Sequence, residues 1–224
     1  MANYEKPDFW SLKAQKESYP ARSVYKLKEI DEKFHLFRPH NQRHNRQENP
    51  STGTAASSTS SGLRVLDLGA SPGSWSLYIL RKLGSGVTLI AADLMPLSRQ
   101  YDKGLFDSPG FNFCLGDITQ AETRDILVNK GPYDMVISDA APSTTGNRSV
   151  DTQRSAELAE AALFYARTCL SAGGNLVLKI FQGGDSTVIL KEIRQLFKTG
   201  RSYKPNACRS SSFETYYLGI EKRP

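Results

Sequence analysis

The sequence has few of the residues that build metal, disulfide or redox sites. It contains three cysteines and three histidines in 224 residues. The cysteines, Cys114, Cys169 and Cys208, are widely spaced and form no CxxC pair, which argues against a zinc or redox motif. His40 and His44 have the spacing of metal ligands on a helix, but the surrounding stretch RPHNQRHNRQENP is not typical of a helix. We therefore expect no metal.

The sequence also lacks long apolar runs. None approaches the roughly 18–20 residues of a membrane-spanning helix. The N-terminal stretch MANYEKPDFWSLKAQKESYP has no apolar core of the signal-peptide kind, and its acidic residues Glu5, Asp8 and Glu17 argue against an organelle presequence. With 39% hydrophobic and 23% charged residues, the chain is expected to form one domain spanning residues 1–224, a cytoplasmic monomer without a membrane partner.

Positive charge is in excess. The net charge is +6 and the isoelectric point about 9.2, which favours an anionic partner, with nucleic acid first. The alternative is two solvated helix faces. The basic residues concentrate in two segments: Lys6, Lys13, Lys16, Arg22, Lys26, Lys28 and Lys33 near the start, and Lys191, Arg194, Lys198, Arg201, Lys204 and Arg209 near the end.

The first quarter of the chain divides into a helical and a polar part. Residues 8–36 predict a basic helical segment with a break near Pro20, since Val24, Leu27 and Ile30 recur at helical spacing. Residues 38–62 have little to bury, and their second half, PSTGTAASSTSSG, contains no bulky apolar residue. This insert is predicted to be flexible. It either touches RNA or is a passive loop.

The remainder alternates between strand and helix patterns. The segments LRVLDLG, GVTLIAAD, FNFCLGD, YDMVISD and NLVLKIF predict five strands, with helices at about 73–83, 120–130, 151–171 and 185–198. Two further strands are predicted near 201–206 and 213–221. Repeated β-α units predict an α/β fold with a mostly parallel sheet, helices on both faces and one antiparallel strand near the end.

Acidic residues follow several of the predicted strands. Asp93, Asp117 and Asp139 each stand at a strand's carboxyl end, where open α/β sheets bind ligands. The turn DLGASPGSW after the first strand holds Gly69 and Gly73 but does not match GxGxxG. Asp93, 24 residues after Gly69, stands where carboxylates bind ribose hydroxyls, which favours a nucleoside ligand. An ordinary strand-to-helix loop is the alternative.

Lys179 interrupts the apolar strand of GGNLVLKIFQGG. A charged ammonium in the middle of a buried strand requires either a partner or a use. The residue alone leaves two interpretations open, a structural ion pair with a carboxylate of the sheet and a catalytic group.

Several separated motifs carry a family resemblance. The stretches ARSVYKLKEID, DLGASPGSW, DLMPL, SDAAPSTTG followed by Asp151, LVLKIFQG and SSFETYYL resemble the FtsJ/RrmJ family of S-adenosylmethionine-dependent RNA 2′-O-methyltransferases, including its large-subunit ribosomal RNA members. The match extends over nearly the whole chain except about 38–62. The resemblance implies a Rossmann-like class I methyltransferase with a seven-stranded, mostly parallel sheet, and S-adenosyl-L-methionine as cofactor.

The resemblance also implies a set of site residues. The catalytic residues would be Lys26, Asp139, Lys179 and Glu214. The cofactor-binding residues would be Gly73, Trp75, Asp93, Asp117 and Asp139. Ser74 stands where family members often have a second glycine, and serine is tolerated at a helix start.

The chemistry of the implied reaction assigns a role to Lys179. A ribose 2′-hydroxyl must lose its proton as it attacks, whereas the methyl group of a sulfonium is already activated. A lysine has a pKa of about 10.4 in water, which a neighbouring cation lowers and a carboxylate raises. If Lys26 lies close to Lys179, one of them is driven towards the neutral amine, and Lys179 is then the expected proton acceptor. A protonated Lys179 that polarises the 2′-oxygen is the alternative.

The substrate is less constrained by the residues. The chain ends soon after Glu214, without the extension usual in tRNA members of the family, which favours a uridine of large-subunit ribosomal RNA over tRNA. The basic segments would hold RNA phosphates, and Tyr25, Tyr216 and Tyr217 would either stack on bases or belong to the core. An NAD-dependent oxidoreductase is disfavoured by the missing GxGxxG, and a non-catalytic RNA-binding assembly factor by the complete four-residue set.

Overall fold

A computed structural model describes residues 7–37, 62–183 and 186–224. The predicted insert lies outside the described residues except for Gly62, and so do His40 and His44. None of the helices that the structure describes combines the length and apolar composition that crossing a membrane requires.

Two short helices precede a regular alternation of strands and helices. The bounds are α1 (Phe9–Lys16), α2 (Val24–Phe34), β1 (Leu63–Leu68), α3 (Ser74–Leu83), β2 (Val87–Asp93), β3 (Phe111–Leu115), α4 (Ala121–Asn129), β4 (Tyr133–Ser138), α5 (Arg148–Cys169), β5 (Leu170–Phe181), α6 (Ser186–Leu196), β6 (Phe197–Tyr203) and β7 (Glu214–Lys222), with 3₁₀ turns at Gly84–Gly86 and Leu105–Asp107. The predicted break between the first two helices is confirmed.

The strands form one sheet in the order β3-β2-β1-β4-β5-β7-β6. Strands β1 to β5 pair in parallel, and β7 is antiparallel to both of its neighbours. The strand order reverses between β1 and β4, since the chain continues from β1 to β2 on one side and from β4 to β5 on the other. The crevice at such a reversal is where α/β sheets bind ligands. The seven-stranded sheet with one antiparallel strand is confirmed.

Helices cover the sheet on both faces, also as predicted. In β1 the side chain of Val65 packs into one core cluster with Leu27 of α2 and Leu77 of α3. Its neighbour Leu66 packs into the other cluster, with Leu163 of α5. Successive side chains of a strand point to opposite faces, so the near-continuous apolar strands follow from burial on both sides.

The prediction that helix continues to residue 198 is wrong. Helix α6 ends at Leu196, and Phe197 begins β6, pairing with Lys222. Phe197 is fully buried, and a Cβ built on Gly219 would lie 2.5 Å from its ring, so the glycine makes room for the aromatic side chain. Tertiary packing of one large side chain outweighs the local helix pattern.

Candidate active site

A cavity of about 750 Å³ opens at the carboxyl ends of β1, β2, β3 and β4, which is the size of a small-molecule site. Its polar wall includes Ser71, Asp93, Asp117, Asp139 and Lys179. Its apolar wall includes Leu94, Met95 and Ile118. Carboxylates beside an apolar surface suit a ligand that carries hydroxyl or cationic groups together with a flat heterocycle.

Two glycines shape the turn between β1 and α3. Gly69 has φ +70°, and a Cβ there would lie 2.5 Å from the backbone of Ala140, so the turn approaches the loop after β4 more closely than any side chain permits. Gly73 has φ +105°, and a Cβ would lie 2.9 Å from the ring of Phe106. The glycines of DLGASPGSW are therefore required by backbone geometry.

The carboxylates of Asp93 and Asp117 are held in position by local hydrogen bonds. Asp93 accepts from the backbone N–H of Ser71 and of Met95, each at 2.8 Å. Asp117 accepts from the backbone N–H of Thr119 at 2.8 Å and from its hydroxyl at 2.7 Å. A carboxylate has about four acceptor positions, so each retains capacity for a ligand. Both residues fit the predicted contacts with a nucleoside.

Trp75 lies behind this wall. Its side chain is 2% exposed, its indole N–H donates to the Ser23 carbonyl at 2.9 Å, and its ring centroid lies 5.9 Å from that of Tyr216. Gly73 likewise supports the turn without lining the cavity in the described part of the chain. Direct contact of these two residues with the cofactor stays a prediction.

Ser74 connects the glycine turn to the segment before α2. Its hydroxyl accepts from the N–H of Ala21 at 2.8 Å and donates to the carbonyl of the same residue at 3.1 Å. A glycine could make neither bond. The departure from the family pattern therefore adds a tie between the two segments, which the motif by itself does not predict.

Lys179 and Asp139 form an ion pair at the edge of the cavity. The ammonium of Lys179 lies 3.0 Å from Asp139 Oδ1 and also donates to the Asp139 carbonyl oxygen. Burial raises the pKa of Asp139, but the ammonium groups of Lys179 and Lys26 and a hydrogen bond from Tyr216 lower it further, so the pKa stays below its ordinary value. Asp139 is therefore a carboxylate at neutral pH.

Lys26 and Glu214 form a second buried pair. Lys26, from α2, places its ammonium 2.9 Å from both carboxylate oxygens of Glu214, the first residue of β7. Burial lowers the pKa of Lys26, but Asp139 and Glu214 raise it more, so the pKa lies above its ordinary value and Lys26 is protonated. The structure thus brings all four predicted catalytic residues together as two ion pairs linked through the charge of Asp139.

Tyr216 also belongs to this cluster, although the sequence suggests it only as a base-stacking or core residue. It pairs with Lys179 across β5 and β7, and its hydroxyl donates to Asp139 Oδ1 at 2.7 Å. Tyr25, Tyr216 and Tyr217 are all buried, so they belong to the core and do not stack on bases. Only the register of β7 against β5 identifies the contact of Tyr216.

Asp67 is a buried carboxyl group behind the glycine turn. The Ser76 hydroxyl donates to its Oδ2 at 2.7 Å, while Oδ1 is buried without a hydrogen-bond partner in the described chain. Burial raises its pKa to about 7, the Ser76 hydrogen bond opposes the increase, and the charges of Asp139 and Asp93 add to it. The folded protein therefore binds a proton here that the unfolded chain releases near pH 4.

This proton predicts how stability depends on pH. Above the unfolded pKa of about 3.9 the unfolded chain binds fewer protons than the folded one, so Asp67 destabilises the fold by about 1.4 kcal/mol per pH unit until about pH 7. Asp67→Asn should remove this dependence. Denaturant unfolding measures the effect. From about pH 5 to about pH 7, the free energy of unfolding of the variant should rise by about 2–3 kcal/mol relative to that of the wild type. A constant difference between the two proteins would contradict a protonated Asp67.

Comparison with known proteins agrees with these features. Residues 19–222 match the FtsJ-like methyltransferase family. The ribosomal RNA large subunit methyltransferase E of Treponema denticola is 48% identical over 219 residues, covering 97% of this chain and 96% of that protein. The protein of the same name from Borrelia garinii is 42% identical, covering 96% and 97%.

Solved structures share the fold. A Plasmodium falciparum protein described as a ribosomal RNA methyltransferase superposes with a TM-score of 0.68 at 20% identity, covering 91% of this chain and 98% of that one. Human methyltransferase-like protein 13, solved in complex with SAH, has a TM-score of 0.51 at 14% identity, covering 73% of each chain. The fold is that of class I methyltransferases, and the chain belongs to the FtsJ-like methyltransferase family.

Proposed function

We propose that the protein methylates a ribose 2′-hydroxyl in RNA, at a uridine of large-subunit ribosomal RNA. The observation that carries the proposal is the Lys179–Asp139 pair, which stands at the edge of a nucleoside-sized cavity lined by Asp93 and Asp117. As in its family, the cofactor is S-adenosylmethionine, which supplies an electrophilic methyl group on a sulfonium. Asp93, Asp117 and Asp139 would hold it.

Lys179 is assigned as the proton acceptor. In the ion pair Lys179 carries a proton, so its Nζ would first release that proton to solvent. The neutral amine would then accept the proton of the 2′-hydroxyl while the oxygen forms its bond to the methyl group, which S-adenosylmethionine would supply with loss of the carbon–sulfur bond. Asp139, a carboxylate at neutral pH, stabilises the ammonium that this transfer creates. The carbonyl and the carboxylate of Asp139 hold Lys179 Nζ in position before RNA binds.

Lys26 is assigned a different part. Because its pKa is raised and Glu214 holds it, Lys26 keeps its proton and acts as a fixed positive charge. A fixed cation near the reacting oxygen stabilises the negative charge that develops there. Of the two lysines, Lys179 is therefore the one assigned to proton transfer.

The choice of ribosomal RNA is supported by the relatives, whose names assign them to the large-subunit RNA. A tRNA 2′-O-methyltransferase is the second candidate, and a non-catalytic assembly factor the third. Labelled cofactor offered to undermethylated large ribosomal subunits, free ribosomal RNA and bulk tRNA separates them. We expect label in large-subunit RNA; label in tRNA alone would favour the second candidate, and none anywhere the third.

Asp93→Ala should weaken binding of S-adenosylmethionine by about 1–3 kcal/mol, the cost of leaving buried polar partners unpaired. Asp93→Asn keeps an oxygen for the N–H of Ser71 or Met95 and should lose less. Isothermal titration of both variants measures the effect. Unchanged affinity in the alanine variant would remove Asp93 from the cofactor site.

One lysine of the second basic segment, Lys198, lies away from the catalytic edge. Lys198 follows the first residue of β6, opposite the Lys222 end of β7, whereas Glu214 begins β7 at the catalytic edge. Lys198 lies opposite Glu221, and steps of about 3.3 Å along β7 from Glu214 place it about 23 Å from that edge. Arg194, in α6, packs beside Gly200, which pairs with Gly219, so the same spacing places it about 17 Å from the edge. The prediction that the C-terminal basic segment flanks the cleft is therefore wrong for Lys198, which pairs with Glu221 at 2.9 Å.

Charge reversal should consequently weaken RNA binding at Lys13 and Lys16 but not at Arg194 and Lys198. Lys13→Glu with Lys16→Glu, at the end of α1, should weaken RNA binding. The slope of the logarithm of the binding constant against the logarithm of the salt concentration should flatten by about 0.7 for each phosphate that the variant no longer neutralises. Arg194→Glu with Lys198→Glu is the matched control and should bind RNA like the wild type. Equal salt slopes in all three proteins would mean that the face of α1 is only solvated.

A further inference from the structure

A second cavity of about 960 Å³ adjoins the catalytic cluster on the side away from Asp93 and Asp117. Lys26 and Glu214 form part of its wall, and Ser23 lines both cavities. The remainder is contributed by α1, by the segment before α2 and by the loop before β7. This cavity therefore reaches Lys26 and Glu214 without including Asp93 or Asp117.

Two arginines converge in this second cavity. Arg22 makes an ion pair with Asp8 Oδ2, and Arg209 places its Nε 3.8 Å from the same oxygen. Burial and the nearby charge of Arg209 both lower the pKa of the Arg22 guanidinium, and Glu214 opposes the change. Two guanidinium groups that repel each other and share one carboxylate oxygen form a site for an anion, since arginine binds phosphate in bidentate fashion.

Asp8 performs two separate tasks with its two oxygens. Oδ1 caps α1, accepting from the N–H of Ser11 at 2.9 Å and from its hydroxyl at 3.0 Å. Oδ2 faces the arginines. The carboxylate oxygen therefore stands where a phosphate oxygen would stand, and the helix cap does not depend on it.

We propose that Arg22 and Arg209 bind an RNA phosphodiester next to the nucleotide that is methylated, and that Asp8 occupies the phosphate position in the absence of RNA. The inference rests on the proposed function and names the part of the substrate held at this side of the site. Arg22 lies in the turn just before α2 and lines the same cavity as Lys26 and Glu214, so a phosphate held by Arg22 would lie near a ribose at Lys26.

An exposed aromatic ring on the same wall agrees with a nucleotide in this cavity. Phe9 is 69% exposed although it lines the cavity, and its ring meets Trp10 edge to face at 5.3 Å. Exposed aromatic rings beside basic groups are the usual platform for unstacked bases. Phe9, unlike the buried tyrosines, therefore presents a ring on which a base can stack.

Asp8→Asn separates this proposal from a purely structural ion pair. Asparagine retains the cap oxygen, since it is as good an N-cap as aspartate, but removes the charge that competes with phosphate. The variant should bind RNA roughly two- to fivefold more tightly than the wild type and with a steeper salt dependence. If the pair is only structural, the variant binds RNA equally or more weakly.

The arginine variants should have the opposite effect. Arg22→Gln and Arg209→Gln should each weaken RNA binding by about tenfold and flatten the salt slope by about 0.7, the value for one phosphate contact on a single strand. Arg194→Gln, in the last turn of α6 and outside both cavities' described lining, is the control. Cofactor affinity and melting temperature, measured on the same proteins, identify any variant whose fold has changed.

The probe is a mixed-sequence single-stranded RNA oligonucleotide, titrated at several salt concentrations, with inorganic phosphate as competitor. Tighter binding by Asp8→Asn together with weaker binding by both arginine variants supports the proposal. Wild-type RNA affinity in both Asp8→Asn and Arg209→Gln overturns the proposal. The proposal is also overturned if inorganic phosphate binds at the arginines without changing the affinity for RNA. Methyl transfer by the wild type is assayed in parallel, because its absence would overturn the proposed function as well, whereas normal transfer confines the failure to the arginine site.

Discussion

Lys179→Ala should slow methyl transfer to RNA by ~10²–10⁴-fold, the usual effect of losing a general base, while cofactor affinity stays close to that of the wild type. Lys179 is 7% exposed and contacts Asp139 through both its carboxylate and its carbonyl oxygen. After the substitution, Asp139 still accepts from Tyr216 and still lies in the field of Lys26. The carboxylate is therefore not left without partners, and the fold should persist.

Three further variants sharpen this prediction. Lys179→Arg should not restore transfer, because a guanidinium stays protonated and cannot accept a proton. Lys179→Met keeps the length of the side chain without the amine and should be folded but equally slow. Lys198→Ala, which removes an exposed lysine paired with Glu221, is the control and should transfer at the wild-type rate. Rapid transfer by the arginine variant would favour the alternative in which a protonated Lys179 polarises the 2′-oxygen.

Asp139→Asn should lower both methyl transfer and stability. The substitution removes the carboxylate beside the ammonium of Lys179 and lowers the negative charge near Lys26. Breaking a buried ion pair from one side costs about 3–5 kcal/mol, and the free energy of unfolding near neutral pH should fall by this amount. Denaturant unfolding of the variant and the wild type measures it.

The destabilisation should depend on pH with a definite sign. Because the pKa of Asp139 is lowered in the folded protein, its contribution is present above the unfolded value of about 3.9 and is lost as the pH falls through the folded value. The stabilities of variant and wild type should therefore converge in acid. Asp134→Asn, at the other end of β4 and bonded to the N–H of Arg64 at 2.8 Å, is the matched control and should be destabilised much less. Parallel curves for Asp139→Asn and wild type would contradict the ion-pair interpretation.

Periodicity and strand-end chemistry predict most of the fold. The strands from β1 to β5 stand out because their apolar runs are bounded by glycine and aspartate, and a sheet buried on both faces requires such runs. The beginning of β6 could not be found in this way. Phe197 continues an amphipathic helix pattern, and only the space beside Gly219 explains why it extends into the sheet.

For the candidate site, too, the sequence predicts some of the residues and misses others. Motif resemblance identifies Lys26, Asp139, Lys179 and Glu214, which lie far apart in the chain, and the structure brings them together. Contacts that depend on strand register, or on segments distant in the sequence packing together, leave no signature in the local sequence. The Tyr216 hydroxyl on Asp139, the ties of Ser74 to Ala21 and the convergence of two arginines on Asp8 are of this kind.

The placement of charge could not be predicted from the sequence either. Clustering of Arg194 and Lys198 with other basic residues near the end of the chain predicts a second RNA-binding flank. The turn from α6 into β6 takes Lys198 away from the catalytic edge, because β6 runs in the same direction as β5 and begins at the other end of the strands. Linear proximity of like charges predicts a shared face only when the path of the chain is known.

Single-turnover methyl transfer to undermethylated large ribosomal subunits, at saturating cofactor, tests the assignment of Lys179 and of the 2′-hydroxyl most directly. The wild type and Lys179→Ala are compared, and the labelled RNA is digested to nucleosides. We expect 2′-O-methyluridine as the labelled product of the wild type, with the rate reduced ~10²–10⁴-fold in the variant. Label on a base would contradict the assignment of the 2′-hydroxyl, and equal rates for the two proteins would contradict the assignment of Lys179.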